Sequence, residues 1–203
     1  MSIVFLKFDK NYCPIVTYHW QLGTLFDLKV VFLFTERKKC GIIICNEFYE
    51  ACFMILINKV TLSAAETEEY GALLARKIID DKNLPRFVAL YGDLGVGKTA
   101  FIRGFSSYAA PYANVKSPTF TLVNEYKGTH FPVFHFDMYR LEDEDSLYSI
   151  GFYDYLDRGI CLTEWTENIE FALPDEYIKV TISKNDMENT DSRLITAELV
   201  GKE

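Results

Sequence analysis

From Met54 onward, hydrophobic positions recur with periods that switch between two and about 3.6, the marks of strand and helix in alternation. Ile55, Ile57 and Val60 suit a strand. Ser63, or Thr61, caps the helix that follows, with Glu66 placed three residues after Ser63 to complete a capping box. Tyr70, Leu73, Leu74, Lys77 and Ile78 carry this helix, which ends before Asn83 and Pro85. Phe87 to Tyr91 is an unbroken apolar run, the pattern of a buried strand. Phe101, Ile102, Phe105 and Tyr108 return to helical spacing, so a helix starts near Lys98 and stops at Ala109-Ala110-Pro111. Residues 115–126 begin as a loop and become a strand; Lys127-Gly128-Thr129 turns, and residues 131–138 return as the second arm of a hairpin. Acidic residues at 142–145 open a short helix closed by Gly151. Residues 159–163 form another buried strand that finishes in Glu164-Trp165. Residues 177–182 and 194–199 alternate as two more strands, with a polar, exposed loop at 183–192 between them.

Residues 1–53 read differently. They hold short apolar runs, such as 30–34 and 41–45, but no long helical period. Either they form a small β module, or translation starts at Met54 and the upstream stretch is an artefact of gene calling. The shift in composition favours the second explanation, leaving an N-terminal extension (1–53) and a domain over 54–203.

The chain has 203 residues and a net charge of −8, which speaks against a surface that grips nucleic acid as a whole. Charged or amide side chains interrupt every apolar run before it reaches bilayer length, and no signal peptide is evident, so a cytoplasmic location is expected. Cys13, Cys40, Cys45 and Cys52 precede residue 54 and only Cys161 follows it; with no C-x-x-C pair, free thiols are expected rather than a zinc site.

The chemistry centres on residues 92–99. Gly92-Asp93-Leu94-Gly95-Val96-Gly97-Lys98-Thr99 fits G-x-x-x-x-G-K-[ST], between an expected strand and an expected helix. Glycines let the backbone wrap with its N–H groups turned inward, and the helix start adds unpaired N–H groups and the positive end of its dipole. Lys98 then reaches β- and γ-phosphates, and the Thr99 hydroxyl ligates Mg2+. Thr67, near the start of the preceding helix, is a candidate to face the nucleotide base, although spacing alone favours an ordinary exposed threonine.

Three further groups lie downstream. Ser117 and Thr119 place two hydroxyls where phosphate-loop proteins sense the γ-phosphate, or else mark a plain proline turn. Asp137 closes a strand and is placed to hold Mg2+ or orient water; the alternative is a surface pair with Arg140 beside a half-buried, satisfied His135. Glu164 ends an apolar strand as a Walker B acid does, and Trp165 beside it packs or joins the site.

Taken together, G-D-L-G-x-G-K-T at 92–99, S-P-T-F-x-L-V-x-E-Y at 117–126, H-x-D-x-Y-R-L at 135–141 and E-W at 164–165 resemble the TsaE (YjeE) family. These are bacterial ATPases of tRNA threonylcarbamoyladenosine synthesis. The resemblance spans about residues 54–200 and implies an α/β, P-loop NTPase-like three-layer fold with a mixed, mainly parallel central sheet. It implies ATP and Mg2+ as cofactors, with residues 92–99 on the phosphates and Thr99 and Glu164 on the metal. Asp137 would assist hydrolysis, Trp165 would sit at the site, and Ser117 and Thr119 would lie in the switch. It further implies TsaD and TsaB as partners, with tRNA reached only through them and no membrane. Two departures stand out: the segment 81–86 is longer than the usual turn, and Thr166 stands where the family commonly has proline. Rival readings are a small-molecule kinase, for which no Arg cluster follows Thr99, and a nucleotide-gated binding module. A GTPase is disfavoured because Asn58-Lys59, the lone Asn-Lys pair, lacks the Asp of N-K-x-D.

Overall fold

The computed structural model describes residues 15–22, 26–34, 40–45, 54–141, 143–186 and 189–201, with side chains from residue 55 onward. In chain order the elements are β1 (Ile15–Leu22), β2 (Phe26–Phe34), β3 (Cys40–Cys45), β4 (Met54–Thr61), α1 (Ala64–Asp80), β5 (Phe87–Tyr91) and α2 (Lys98–Ala109). There follow β6 (Val123–Tyr126), β7 (Val133–Asp137), α3 (Glu144–Ser149), α4 (Phe152–Leu156), β8 (Ile160–Glu164), a 3-10 segment (Thr166–Ala172), β9 (Glu176–Lys184) and β10 (Arg193–Gly201).

All the described strands join one sheet in the order β1-β2-β3-β4-β10-β9-β5-β8-β7-β6. The centre, β9-β5-β8-β7, is parallel throughout. Outside it β10 and β6 run antiparallel to their neighbours, and β4, antiparallel to β10, regains the central direction. The sheet from β4 to β6 is therefore mixed and mainly parallel. Strands β1, β2 and β3 form an antiparallel meander that meets β4 through Ile42↔Ile55 and Ile43↔Met54. The apolar runs at 30–34 and 41–45 fall within β2 and β3. Apolar Val16, Tyr18, Trp20 and Leu22 alternate along β1, which the runs expected from sequence do not include. The thiols of Cys13, Cys40, Cys45 and Cys52 lie outside the described residues. Among the described residues no helix is long and apolar enough to cross a membrane.

Period-two alternation sorts each central strand between two cores. Val88 and Leu90 of β5, Val133 of β7, Ile160 and Leu162 of β8 and Val180 of β9 face α1 and α2. Phe87, Ala89, Phe134, Phe136 and Cys161 face the other way, against Leu147, Phe152 and Ile169 of α3, α4 and the 3-10 segment. The same alternation carries His135 and Asp137 of β7, and Glu164 of β8, onto the α1/α2 side. The two helices approach each other closely there: a Cβ on Gly104 would lie 1.9 Å from the Glu68 carbonyl, and one on Gly71 would lie 2.1 Å from that of Phe101.

The local signals act through their ordinary causes. Ser63 caps α1, its hydroxyl accepting from the Glu66 amide at 3.1 Å, while the Glu66 carboxylate accepts from the amide of Leu62 rather than of Ser63. Asp143 caps α3 in the same way. The long segment 81–86 is a turn bonded to itself, with Leu84 N donating to Asp81 O at 3.1 Å. Sequence periodicity missed α4 and the 3-10 segment, whose five and seven residues are too short to show a helical period.

Candidate nucleotide site

The loop between β5 and α2 leaves the sheet at the carboxyl end of its parallel centre, where open α/β sheets place ligands. Gly92 takes φ +135 and a Cβ there would lie 2.2 Å from Ile182 O, so the loop presses against β9. Gly95 takes φ +76 with open space beside it, so conformation alone demands glycine. Asp93, Leu94 and Gly95 are exposed, whereas Val96 and Lys98 are buried. Gly97 caps α2 in a left-handed conformation with no side-chain hydrogen bond, so no cap residue claims the N–H groups of the first turn. Arg193 braces the loop from β10: its Nε donates to Val96 O at 2.9 Å, and its Nη1 donates to Ser192 O at 3.0 Å and to Thr190 O.

Lys98 donates through Nζ to Gly92 O and, at 3.0 Å, to Asp93 O. Its ammonium also stands 3.8 Å from the centroid of the Trp165 ring. Burial pushes the Lys98 pKa down, against the opposing pull of Glu164, Glu167, Asp137 and Asp93. Trp165 reaches this place through a left-handed backbone, φ 61, which is uncommon for a bulky side chain. Tyr139 packs on the indole at 4.9 Å between ring centroids, and Asn168 Nδ2 holds the Met138 carbonyl at 3.0 Å.

Glu164 and Asp137 are register neighbours across β8 and β7, yet their partners differ. The Thr99 hydroxyl lies 2.9 and 3.1 Å from the two Glu164 oxygens, and His135 Nε2 lies 2.9 Å from Oε1. Asp137 Oδ2 accepts from Ser117 and Thr119, each at 2.9 Å, and Oδ1 accepts from the Tyr139 amide at 3.1 Å. The two hydroxyls are also 2.9 Å apart.

The structure thus brings Lys98, Thr99, Asp137, Glu164 and Trp165 to one end of α2, with Ser117 and Thr119 tied in through Asp137. Thr67 departs from the exposed threonine that spacing favours. It is 2 % exposed, and its hydroxyl lies 3.0 Å from that of Thr61 and 3.1 Å from Ser63 O. Its methyl would be 3.9 Å from a Cβ on Gly97, so it lies beside the end of the loop. The reading of Asp137 as a surface partner of Arg140, beside a half-buried and satisfied His135, also fails: Asp137 is 4 % exposed, its side-chain partners are hydroxyls, and His135 is wholly buried with Nδ1 unbonded among the described residues. Thr166, the departure from proline, is buried, and its hydroxyl lies 2.9 Å from Thr163 O and 2.7 Å from Thr163 Oγ1. Sequence reading gave no role to Arg193 or Asn168, because neither belongs to a local motif.

These groups fit a magnesium–nucleotide. A glycine-lined loop, an uncapped helix start and a buried ammonium suit phosphate. A hydroxyl and a carboxylate that converge supply the hard oxygen donors Mg2+ prefers.

Comparisons with known proteins converge on one family. The family model described as "Threonylcarbamoyl adenosine biosynthesis protein TsaE" matches residues 61–195. The tRNA threonylcarbamoyladenosine biosynthesis protein TsaE of Bacillus subtilis is 40% identical over 115 residues, covering 56% of this chain and 70% of that protein. Its counterpart from Rickettsia conorii is 34% identical over 135 residues, covering 66% of this chain and 75% of that protein. The crystal structure of Bacillus subtilis YdiB superposes with a TM-score of 0.54 at 30% identity, over 75% of this chain and 89% of that one.

Proposed function

The chain belongs to the TsaE family of tRNA threonylcarbamoyladenosine biosynthesis, and we propose that within that pathway it is a P-loop ATPase that binds Mg-ATP. In this reading it acts in the cytoplasm with TsaD and TsaB, which transfer threonylcarbamoyl to adenosine 37 of tRNAs reading ANN codons. ATP hydrolysis resets their complex between rounds, and the tRNA is held by the partners.

The observation that carries the proposal is the meeting of Thr99 and Glu164 beside Lys98 at the start of α2. Residues 92–97 and the first amides of α2 would hold the phosphates, and Thr99 and Glu164 would hold Mg2+. Bound Mg-ATP supplies a phosphoanhydride whose cleavage releases free energy to the complex. Lys98, satisfied by two loop carbonyls, is the cation placed to turn to phosphate oxygens. Trp165 covers one side of its ammonium and keeps water from it. Asp137 is left with the other task, orienting the attacking water, and its bonds to Ser117 and Thr119 tie that task to the switch segment. Such a site works by position and charge, so partners that complete it would speed a protein that turns over slowly alone.

The test is threonylcarbamoyladenosine formation on tRNA by purified TsaD and TsaB under multiple turnover. The full chain should carry the reaction past one round, and its Lys98→Ala and Asp137→Ala variants should not. Equal yields with and without the full chain would refute the proposal.

A further inference from the structure

His135 is the fully buried polar residue of β7. Its Nε2 bonds Glu164 Oε1 at 2.9 Å, but Nδ1 is buried with no hydrogen-bond partner among the described residues. An apolar side chain of similar size would fill this place without orphaning a polar atom. Packing therefore gives no reason for an imidazole here, whereas the bond to Glu164 does.

The partners also select the tautomer. With the proton on Nε2 the ring donates to the carboxylate, and only a lone pair is left unmatched at Nδ1. The opposite tautomer would point a lone pair at the carboxylate and bury an unpaired N–H. Glu164 then has two donors, His135 on Oε1 and the Thr99 hydroxyl across both oxygens.

We infer that His135 is a positioning residue: its Nε2–H fixes the Glu164 carboxylate so that Oε2 and Thr99 Oγ1 stand together as the oxygen pair for Mg2+. The inference rests on the Mg-ATP reading above. It assigns His135 no contact with nucleotide or reacting atoms. Donors that hold a metal ligand in this way are worth about 10–100-fold in metal affinity.

The test uses the full chain, N-methylanthraniloyl-ADP as the probe, and Mg2+ titrated against EDTA controls. His135→Leu should bind the probe in EDTA as the unaltered protein does, yet need about 10–100-fold more Mg2+ to reach the tighter complex. His135→Gln, whose amide nitrogen reaches the place of Nε2, should restore most of the Mg2+ response. His135→Asn places its amide near Nδ1 instead and should behave like His135→Leu. If His135→Leu fails to fold, the Gln and Asn pair carries the comparison. A Mg2+ titration unchanged in His135→Leu, or Gln no better than Asn, overturns the positioning role while leaving the nucleotide site standing. If the unaltered protein does not bind the probe at all, the Mg-ATP reading itself fails and the inference falls with it.

Discussion

The ammonium of Lys98 lies 3.8 Å from the centroid of the Trp165 ring and is bonded to the carbonyls of Gly92 and Asp93. The loop backbone and one indole face hold a buried charge, and burial outweighs the nearby acids in setting its pKa direction. The sign follows by linkage. A lysine whose folded pKa is lowered binds fewer protons folded than unfolded, so its charged form opposes folding at neutral pH. That opposition is relieved only as pH climbs toward the unfolded value, 10.5. Lys98→Met keeps the stem and removes the charge. It should raise Tm at pH 7, by about 2–4 °C for each kcal/mol recovered, while abolishing nucleotide binding. Calorimetry beside probe titration checks both halves. A lowered Tm would show that the acids around Lys98 need its charge more than burial resists it.

Asp137 links the sheet to the switch segment through two hydroxyls. Hydrogen bonds to a charged group are each worth about 1.5–3 kcal/mol. Asp137→Asn, which keeps the shape but weakens both bonds, should loosen residues 117–122 and leave the P-loop in place. Amide exchange across that segment should rise by roughly tenfold or more, with exchange in α2 unchanged. Probe binding should persist while ATP hydrolysis falls. Uniformly faster exchange throughout the sheet would mean that the change acts on global stability instead.

How much of this site was legible follows from how far apart its parts lie in sequence. The loop, its strand and its helix occupy one stretch, 87–109, so glycine spacing and periodicity suffice to find them. Glu164 and Asp137 were legible as acids at strand ends. Their separate hydrogen-bond partners were not, since these depend on β7 lying beside β8 and on where 117–119 folds back. The burial of Thr67 and His135 is not legible for a related reason. Burial of a single polar residue depends on what folds against it, Thr61 across a turn in one case and Glu164 on the neighbouring strand in the other. β1 alternates in sequence, but alternation alone does not say which sheet a strand will join.

Gly104 sets how closely α2, and so the end of the phosphate loop, can lie against α1. A methyl at this position would stand 1.9 Å from Glu68 O and 2.4 Å from its Cα, both rigid backbone atoms. Gly104→Ala must therefore push the helices apart despite the higher helix propensity of alanine. Overpacking of this kind costs about 1–3 kcal/mol. Denaturant melts should show a lower midpoint with an unchanged slope, and probe affinity should fall because α2 moves with its amides. A midpoint at or above that of the unaltered protein would show that the helices separate without loss.

Cys161 is buried on the α3/α4 side of β8, and burial pushes its thiol up to about 12. The thiolate is the reactive species. Alkylation at Cys161 should therefore stay slow through pH 8–9, where an ordinary thiol becomes reactive, and should reach full extent only in denaturant. Peptide mass spectrometry after timed iodoacetamide treatment separates it from the other cysteines. Rapid labelling in the native protein would mean that β8 opens locally.

Arg193 offers the sharpest check on the longest contact in the site. It reaches across 97 residues of sequence to hold Val96 O, and it also bonds two carbonyls of its own turn. Val96 lies in the middle of the phosphate loop, so this bond fixes its peptide plane with Gly97, one of those that would hold the phosphates in the proposed function. Losing a charged donor on a half-buried carbonyl costs about 1.5–3 kcal/mol. Some of that will appear as looser binding, because the loop must then be ordered by the nucleotide itself. Arg193→Ala should weaken probe binding by about tenfold, with a modest loss of Tm. Arg193→Lys should not rescue it, since one ammonium cannot reproduce a planar fork directed at three carbonyls. If lysine restores binding fully, positive charge near the phosphates matters and the carbonyl brace does not. The two outcomes separate an electrostatic role from a geometric one at a residue that no local motif would have singled out.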